Sequence, residues 1–161
     1  MNRCVQTLRS ERKAWRRDHP PKWSARPVRN ADGSSNILKW HFEFHGPKDS
    51  AYEGAKIKVE MIFPETYPSE APSVKILTKD MFHPNIYSSG SICLSTLKSG
   101  SAENRWKEHY GFKYILKSIR LLLMTPNPDD PTNCEAAHLY KRNRAEYNKR
   151  VKERVVDKNP I

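Results

Sequence analysis

Two hydrophobic periods run along this chain without mixing, and their order is the strongest constraint on what it can fold into. At 55–63, "AKIKVEMIF" alternates apolar Ile57, Val59 and Met61 with polar Lys56, Lys58 and Glu60, the period of a strand with one face buried. From residue 112 the pattern changes: Phe112, Ile115, Leu116, Ile119, Leu122 and Leu123 recur at helical spacing. Residues 2–18 share the helical period, with Val5, Leu8 and Trp15 on one side and the aliphatic stem of Arg12 between them. The stretch "KWSARPVRNADGSSNILKWHFEF" reads as two strands around the turn Asn30-Ala31-Asp32-Gly33, and Val74 to Leu77 completes the set. A helix, a four-stranded antiparallel meander, a long loop, a core helix and C-terminal helices together predict an α+β fold in one domain over 1–161.

Prolines mark the joints. Pro20-Pro21 stop the first helix, and the prolines of "FPETYPSEAP" force an extended path expected to pack over the sheet end. Pro126 and Pro128 end the core helix, and Asp130-Pro131 is expected to open the next, with Asp130 a candidate N-cap. Beyond it Ala136, Leu139, Tyr140, Tyr147, Val151 and Val155 predict one or two more helices.

Charge narrows the partners. The net charge is +11, and residues 1–30 hold nine Lys/Arg against Glu11 and Asp18, so the first helix is basic. Such a patch attracts nucleic acid, a membrane surface or an acidic protein, and charge alone does not choose among them. The basic residues lack the aromatic platform of a nucleic-acid binder. The longest apolar run, "IRLLLM" at 119–124, is far short of the ~20 residues that span a bilayer. The N-terminus has no secretory h-region, which points to a cytosolic or nuclear address. Cys4, Cys93 and Cys134 are unpaired in spacing and the histidines are scattered, so neither a disulfide framework nor a metal site is expected. No glycine-rich phosphate loop is present, so the chain itself should need no nucleotide.

Residues 78–111 follow neither period and read as a long loop, the kind of segment that more often carries function. Within it lies "HPNIYSSGSIC", where Cys93 stands among serines and Gly90 instead of in an apolar segment. A thiol is a strong nucleophile even without a dedicated base, so Cys93 is either a reactive group or a plain packed cysteine. Pro84 stiffens the turn and aims Asn85, whose amide either stabilises an oxyanion or ties the loop to backbone. His83, just before Pro84, reads as a loop-fixing hydrogen-bond partner ahead of a base. Cys134 and Cys4 read as packed cysteines.

The loop "HPNIYSSGSICLS", with "IFPETYPSEAP" before it and Trp106 and "PNPDDP" after it, resembles the ubiquitin-conjugating family. "ERKAWRRDHP" at 11–20 narrows the resemblance to its SUMO-conjugating branch. The likeness implies a transferase in which Cys93 receives a modifier's C-terminus as a thioester from an activating enzyme and passes it to a substrate lysine. It gives Asn85 the oxyanion, Tyr87 and Asp130 the incoming lysine, and Lys75 the substrate. On the first helix Arg12, Lys13, Arg16 and His19 would bind the modifier noncovalently. The implied partners are a SUMO-like modifier, its activating enzyme, SUMO ligases and lysine-bearing proteins, around a monomer in nucleus and cytoplasm. No cofactor is implied, since ATP is consumed upstream. The rival readings are a ubiquitin-specific enzyme, a noncatalytic modifier-binding module and a basic nucleic-acid-binding domain. The likeness breaks at three places: Ala137 replaces a tyrosine of the substrate groove, Ser73 replaces one of two basic residues, and the loop 98–106 is longer.

Overall fold

The computed structural model describes residues 2–93 and 106–161. Helix α1 (Arg3–Arg17) opens the chain, with the Asn2 side chain accepting from the Val5 N–H as its cap. Cys4, Leu8 and Trp15 are its buried face, and Val5 is only half-buried. Cys4 is packed as expected, its thiol donating to the Pro64 carbonyl at 3.4 Å.

Strands β1 (Ser24–Arg29), β2 (Ser35–His45), β3 (Lys56–Ile62), β4 (Ser73–Ile76) and β5 (Ser91–Ile92) form one antiparallel sheet in chain order. The expected meander is therefore extended by a fifth strand. β5 has only two residues, too few to show a period, and it exists because the turn before it returns the chain to β4. The register Phe42↔Val59↔Ile76 and Trp40↔Met61↔Val74 lines up the buried side chains of successive strands on one face. Residues between them, such as His41↔Glu60↔Lys75, line the opposite face.

Helix α2 (Phe112–Met124) buries Phe112, Ile115, Leu116, Ile119, Leu122 and Leu123, the residues its period predicted. Phe112 joins three layers, its ring contacting Trp15 of α1 (5.9 Å between centroids) and Trp40 and Phe42 of β2 (5.3 and 5.1 Å). Helices α3 (Cys134–Arg142) and α4 (Arg144–Val151) follow, and α4 runs on into a π-helical turn, Lys152–Val156. None of the described helices is long and apolar enough to cross a membrane.

The start of α3 corrects the sequence reading. Asn133, not Asp130, is the N-cap, its side chain accepting from the Ala136 N–H at 3.0 Å. Pro131 and Thr132 stay non-helical, and Thr132 and Asn133 give their N–H groups to the Pro84 carbonyl, at 2.8 and 3.0 Å. The proline segment after β3 packs by Tyr67, which is buried at the end of the sheet against Phe63. The longer loop read at 98–106 lies, apart from Trp106, outside the described residues.

One carboxylate ties these parts together. Glu11 of α1 accepts from the Phe112 N–H at the start of α2 (2.8 Å) and from the Tyr67 hydroxyl. Burial pushes its carboxyl up, while the two hydrogen bonds hold it back. Glu11→Ala leaves both donors without their acceptor in a largely buried place, where each unsatisfied group costs about 1–3 kcal/mol. We therefore expect Glu11→Ala to lower unfolding free energy by about 2–4 kcal/mol in urea titrations. A loss below about 0.5 kcal/mol, the scale of an ordinary surface substitution, would show that the tie is dispensable.

Candidate active site

The loop after β4 is pinned from three sides. Met81, Phe82, His83, Pro84, Asn85 and Ile86 are all buried, unusual for a segment without regular structure. The buried Tyr52 hydroxyl donates to the Phe82 carbonyl (2.6 Å), which leaves the Tyr147 hydroxyl to donate to Tyr52 (2.6 Å). Ahead of the loop, Asp80 is held by Arg154 (2.9 Å) and Lys158 (2.7 Å), whose hydrogen bonds lower its carboxyl to about 2.

His83 fixes the next link. Its Nδ1 accepts from the Asn85 N–H (2.9 Å), so Nε2 carries the proton and donates to the Leu122 carbonyl of α2 (2.9 Å). Complete burial lowers its pKa to about 4, so the ring is neutral at physiological pH and both nitrogens are occupied. His83 is a structural partner, as the sequence suggested, and not a base.

Asn85 is 1% exposed and its amide is fully engaged. Nδ2 donates to the Asn127 and Asp130 carbonyls (2.7 and 3.2 Å), and Oδ1 accepts from the Asn127 N–H (2.8 Å). Of the two readings left open, tying the loop is the one these bonds embody. What Asn85 ties down is the segment that carries Asp130, more than forty residues away in sequence. Within that segment the two aspartates differ. Asp129 is paired with Lys141 of α3 (2.7 Å), whereas exposed Asp130 has no side-chain ion pair among the described residues.

Past Asn85 the chain turns outward. Tyr87 is 44% exposed, and a tight turn follows in which Gly90 N–H donates to the Tyr87 carbonyl (2.8 Å). Gly90 has φ +92°, and a Cβ there would collide with the Ile76 carbonyl, so this turn requires glycine. The turn delivers Ser91 opposite Lys75 and Ile92 opposite Val74, and Cys93 follows at the end of β5 as an exposed free thiol. Lys75 is exposed on the outer sheet face, beside Ser91.

Residues 7–155 match the family described as ubiquitin-conjugating enzyme. The chain belongs to the ubiquitin-conjugating enzyme family. Among curated relatives, the SUMO-conjugating enzyme UBC9 of Caenorhabditis elegans is 44% identical over 150 residues, covering 92% of this chain and 87% of the relative. The Sumo-conjugating enzyme ubc9 of Dictyostelium discoideum is 43% identical over 145 residues, covering 90% and 89%.

As a member of this transferase family, the chain brings Asn85, the Asp130 segment and the Tyr87 turn into one region. Tyr87 faces Thr132, Asn133 and Cys134 across a cleft of about 340 Å³. The expectation that Cys134 is packed fails: it is exposed at the first position of α3, where the turn's outward direction was invisible to helical periodicity. Lys13 and Arg16 are exposed on α1, and His19, exposed just past its C-cap Asp18, stacks on Trp15 with Nδ1 donating to the Trp15 carbonyl (2.8 Å). Arg12 is half-buried, its guanidinium 5.8 Å from the Trp40 ring. Sequence reasoning missed Asn127, Thr132 and Asn133. Asn133 had a readable signal, an Asn three residues before Ala136 with Glu135 in the first turn, but the backbone contacts of Asn127 and Thr132 had none.

The folded pKa of His83, about 4, lies below the unfolded value near 6.5. Its neutral form therefore contributes stability that is fully present above pH 6.5 and is lost as pH falls toward 4. The size is on the order of 3 kcal/mol. Urea titrations between pH 7 and 4 should show this loss in the wild type and lack it in His83→Gln. Parallel pH profiles of the two proteins would contradict the assignment.

Proposed function

We propose that this chain is a SUMO-conjugating enzyme that works through a thioester on Cys93. The observation that carries the reading is the exposed Cys93 thiol at the end of β5, on the loop whose Asn85 amide holds the Asp130 segment in place. In the first step the Cys93 thiolate attacks the thioester carbonyl that joins the modifier's C-terminus to the activating enzyme. A new C–S bond forms, and the activating enzyme's cysteine leaves as thiolate. In the second step a neutral substrate lysine attacks the Cys93 thioester, the C–S bond breaks, Cys93 leaves as thiolate and the amine's extra proton is released. The product is an isopeptide.

Each flanking group has a chemical task in this scheme. A lysine with a pKa near 10.4 is reactive only when neutral, so desolvation against the Tyr87 ring raises its reactive fraction. Asp130, without an ion pair among the described residues while Asp129 is held by Lys141, orients the amine or takes its proton. Asn85 supports the oxyanion by fixing the active-site loop against the Asp130 segment, its amide held by the Asn127 and Asp130 backbone. Lys75 reads substrate charge from the outer sheet face. The exposed Lys13, Arg16 and His19, with Arg12, dock an acidic modifier noncovalently at α1 and the residues just past its end. An activating enzyme, SUMO ligases and lysine-bearing proteins are the further partners. The chain acts as a monomer in nucleus and cytoplasm and takes no cofactor of its own.

The test is a loading assay with an activating enzyme, ATP and modifier. We expect a thiol-sensitive adduct with a SUMO-type modifier and none in Cys93→Ala. Loading with ubiquitin and its activating enzyme alone would transfer the chain to a ubiquitin-specific role, and no loading with either would reject the reading. Asp130→Ala should load normally yet discharge to lysine at least about tenfold more slowly in single turnover, the scale of a lost acid–base or orienting group. Equal discharge rates would remove Asp130 from the mechanism.

A further inference from the structure

The clefts of this surface differ in charge. Among the described residues, four clefts have a carboxylate in their walls: Asp49 beside Arg144, Glu11 and Asp18 between α1 and α2, Asp80 and Glu135 beside Tyr87, and Glu108 with Glu11 beside Tyr110. A fifth, of about 370 Å³, has Arg12, Arg26, Arg29, Ser35 and His41 in its walls and neither Asp nor Glu.

The fold assembles this cleft from three segments. The β1–β2 register sets Arg26 opposite His41 and Arg29 opposite Ser35. A shift of register between Pro27 and Val28 separates the two pairs, and Arg12 of α1 closes the cleft. Arg29 is steadied by donating to the Gly33 carbonyl of the hairpin turn (3.0 Å). His41 has its acidic partner, Glu60, at 2.9 Å, and Glu60 is not a wall of the cleft. Among the described residues no carboxylate pairs with Arg12, Arg26 or Arg29. Burial first, and the nearby Arg16 charge second, lower the Arg12 pKa, the direction expected where cations are crowded.

A concavity lined by one sign of charge focuses its field and selects an opposite charge. Guanidinium forks match the oxygens of carboxylates and phosphates. One carboxylate, with two oxygens and one charge, satisfies a single fork. A phosphate monoester carries three free oxygens and a charge of about −1.5 to −2, so it serves three forks at once. We infer that this cleft binds a phosphate monoester presented by a protein partner, a phosphoserine or phosphothreonine side chain held by Arg12, Arg26 and Arg29. The inference does not depend on the chemistry of Cys93.

Calorimetry on the full chain at fixed ionic strength tests it, with a phosphoserine peptide, its unphosphorylated counterpart and inorganic phosphate as the three probes. The phosphopeptide should bind at least about tenfold more tightly than either of the others, about 1.4 kcal/mol. Arg26→Ser and Arg29→Ser, both at exposed hairpin positions, should each weaken it about tenfold, the value of a charge-assisted hydrogen bond. Arg142→Ser, exposed on α3, removes the same charge elsewhere and should leave affinity within about twofold. Equal binding of the two peptides, or equal losses in Arg26→Ser and Arg142→Ser, would overturn the site. Inorganic phosphate binding as tightly as the phosphopeptide would overturn the protein-borne ligand. Loading of Cys93 in the Arg26→Ser and Arg29→Ser proteins should match the wild type, so failure of the cleft and failure of the conjugation reading are separable.

Discussion

The amide of Asn85 is the constraint on which the candidate site depends. It is nearly inaccessible to water and makes three hydrogen bonds to the backbone of Asn127 and Asp130. Those residues lie in a segment without regular structure between α2 and α3, which has few other means of holding a shape. Together with the Pro84 carbonyl, which accepts from Thr132 and Asn133, the amide welds two distant loops into one body. A buried amide with all its partners satisfied is costly to disturb, because any released group remains out of water.

The support behind that amide is layered. His83 holds the Asn85 N–H on one side and the Leu122 carbonyl on the other, so the loop is fastened to the core helix by a neutral imidazole. The pair Tyr52 and Tyr147 holds the Phe82 carbonyl, and burial raises both phenol pKa values, so they remain neutral donors. From the other end, Asn159 near the C-terminus exchanges hydrogen bonds with the backbone of Lys79 (both 2.9 Å). A rigid base with an exposed rim follows: residues 81–86 are buried, whereas Tyr87, Ser88, Ser89 and Cys93 face solvent. That combination of fixed direction and open access suits the role proposed for Cys93.

The basic charge of the chain acquires two locations that meet at Arg12. Lys13 and Arg16 on α1, with His19 just past its end, are exposed, a surface suited to a broad acidic face. In the hairpin cleft, Arg26 and Arg29 converge with Arg12 in a concavity, suited to a compact anion. Other basic residues are paired locally with acids, as Arg150 is with Glu135 and Lys152 with Asp157.

Periodicity carried much of the fold in the sequence itself. Ile57, Val59 and Met61 declare a half-buried strand, and Phe112 to Leu123 declare a buried helix face, because burial repeats every second residue in one and about every 3.6 in the other. Spacing likewise exposed Cys93, Asn85 and Pro84 as a unit, since all three lie within one short loop. What lies far apart in the chain had no such signature. The two-residue strand β5, the N-cap at Asn133, the outward thiol of Cys134 and the meeting of Arg12 with Arg26 and Arg29 were decided by tertiary structure. Each depends on backbone hydrogen bonds or on packing between segments that local composition does not encode. The sequence by itself determined which residues are buried together and which chemistry is present; the tertiary structure decided which of those groups meet, because a backbone carbonyl or a bend has no residue type to announce it.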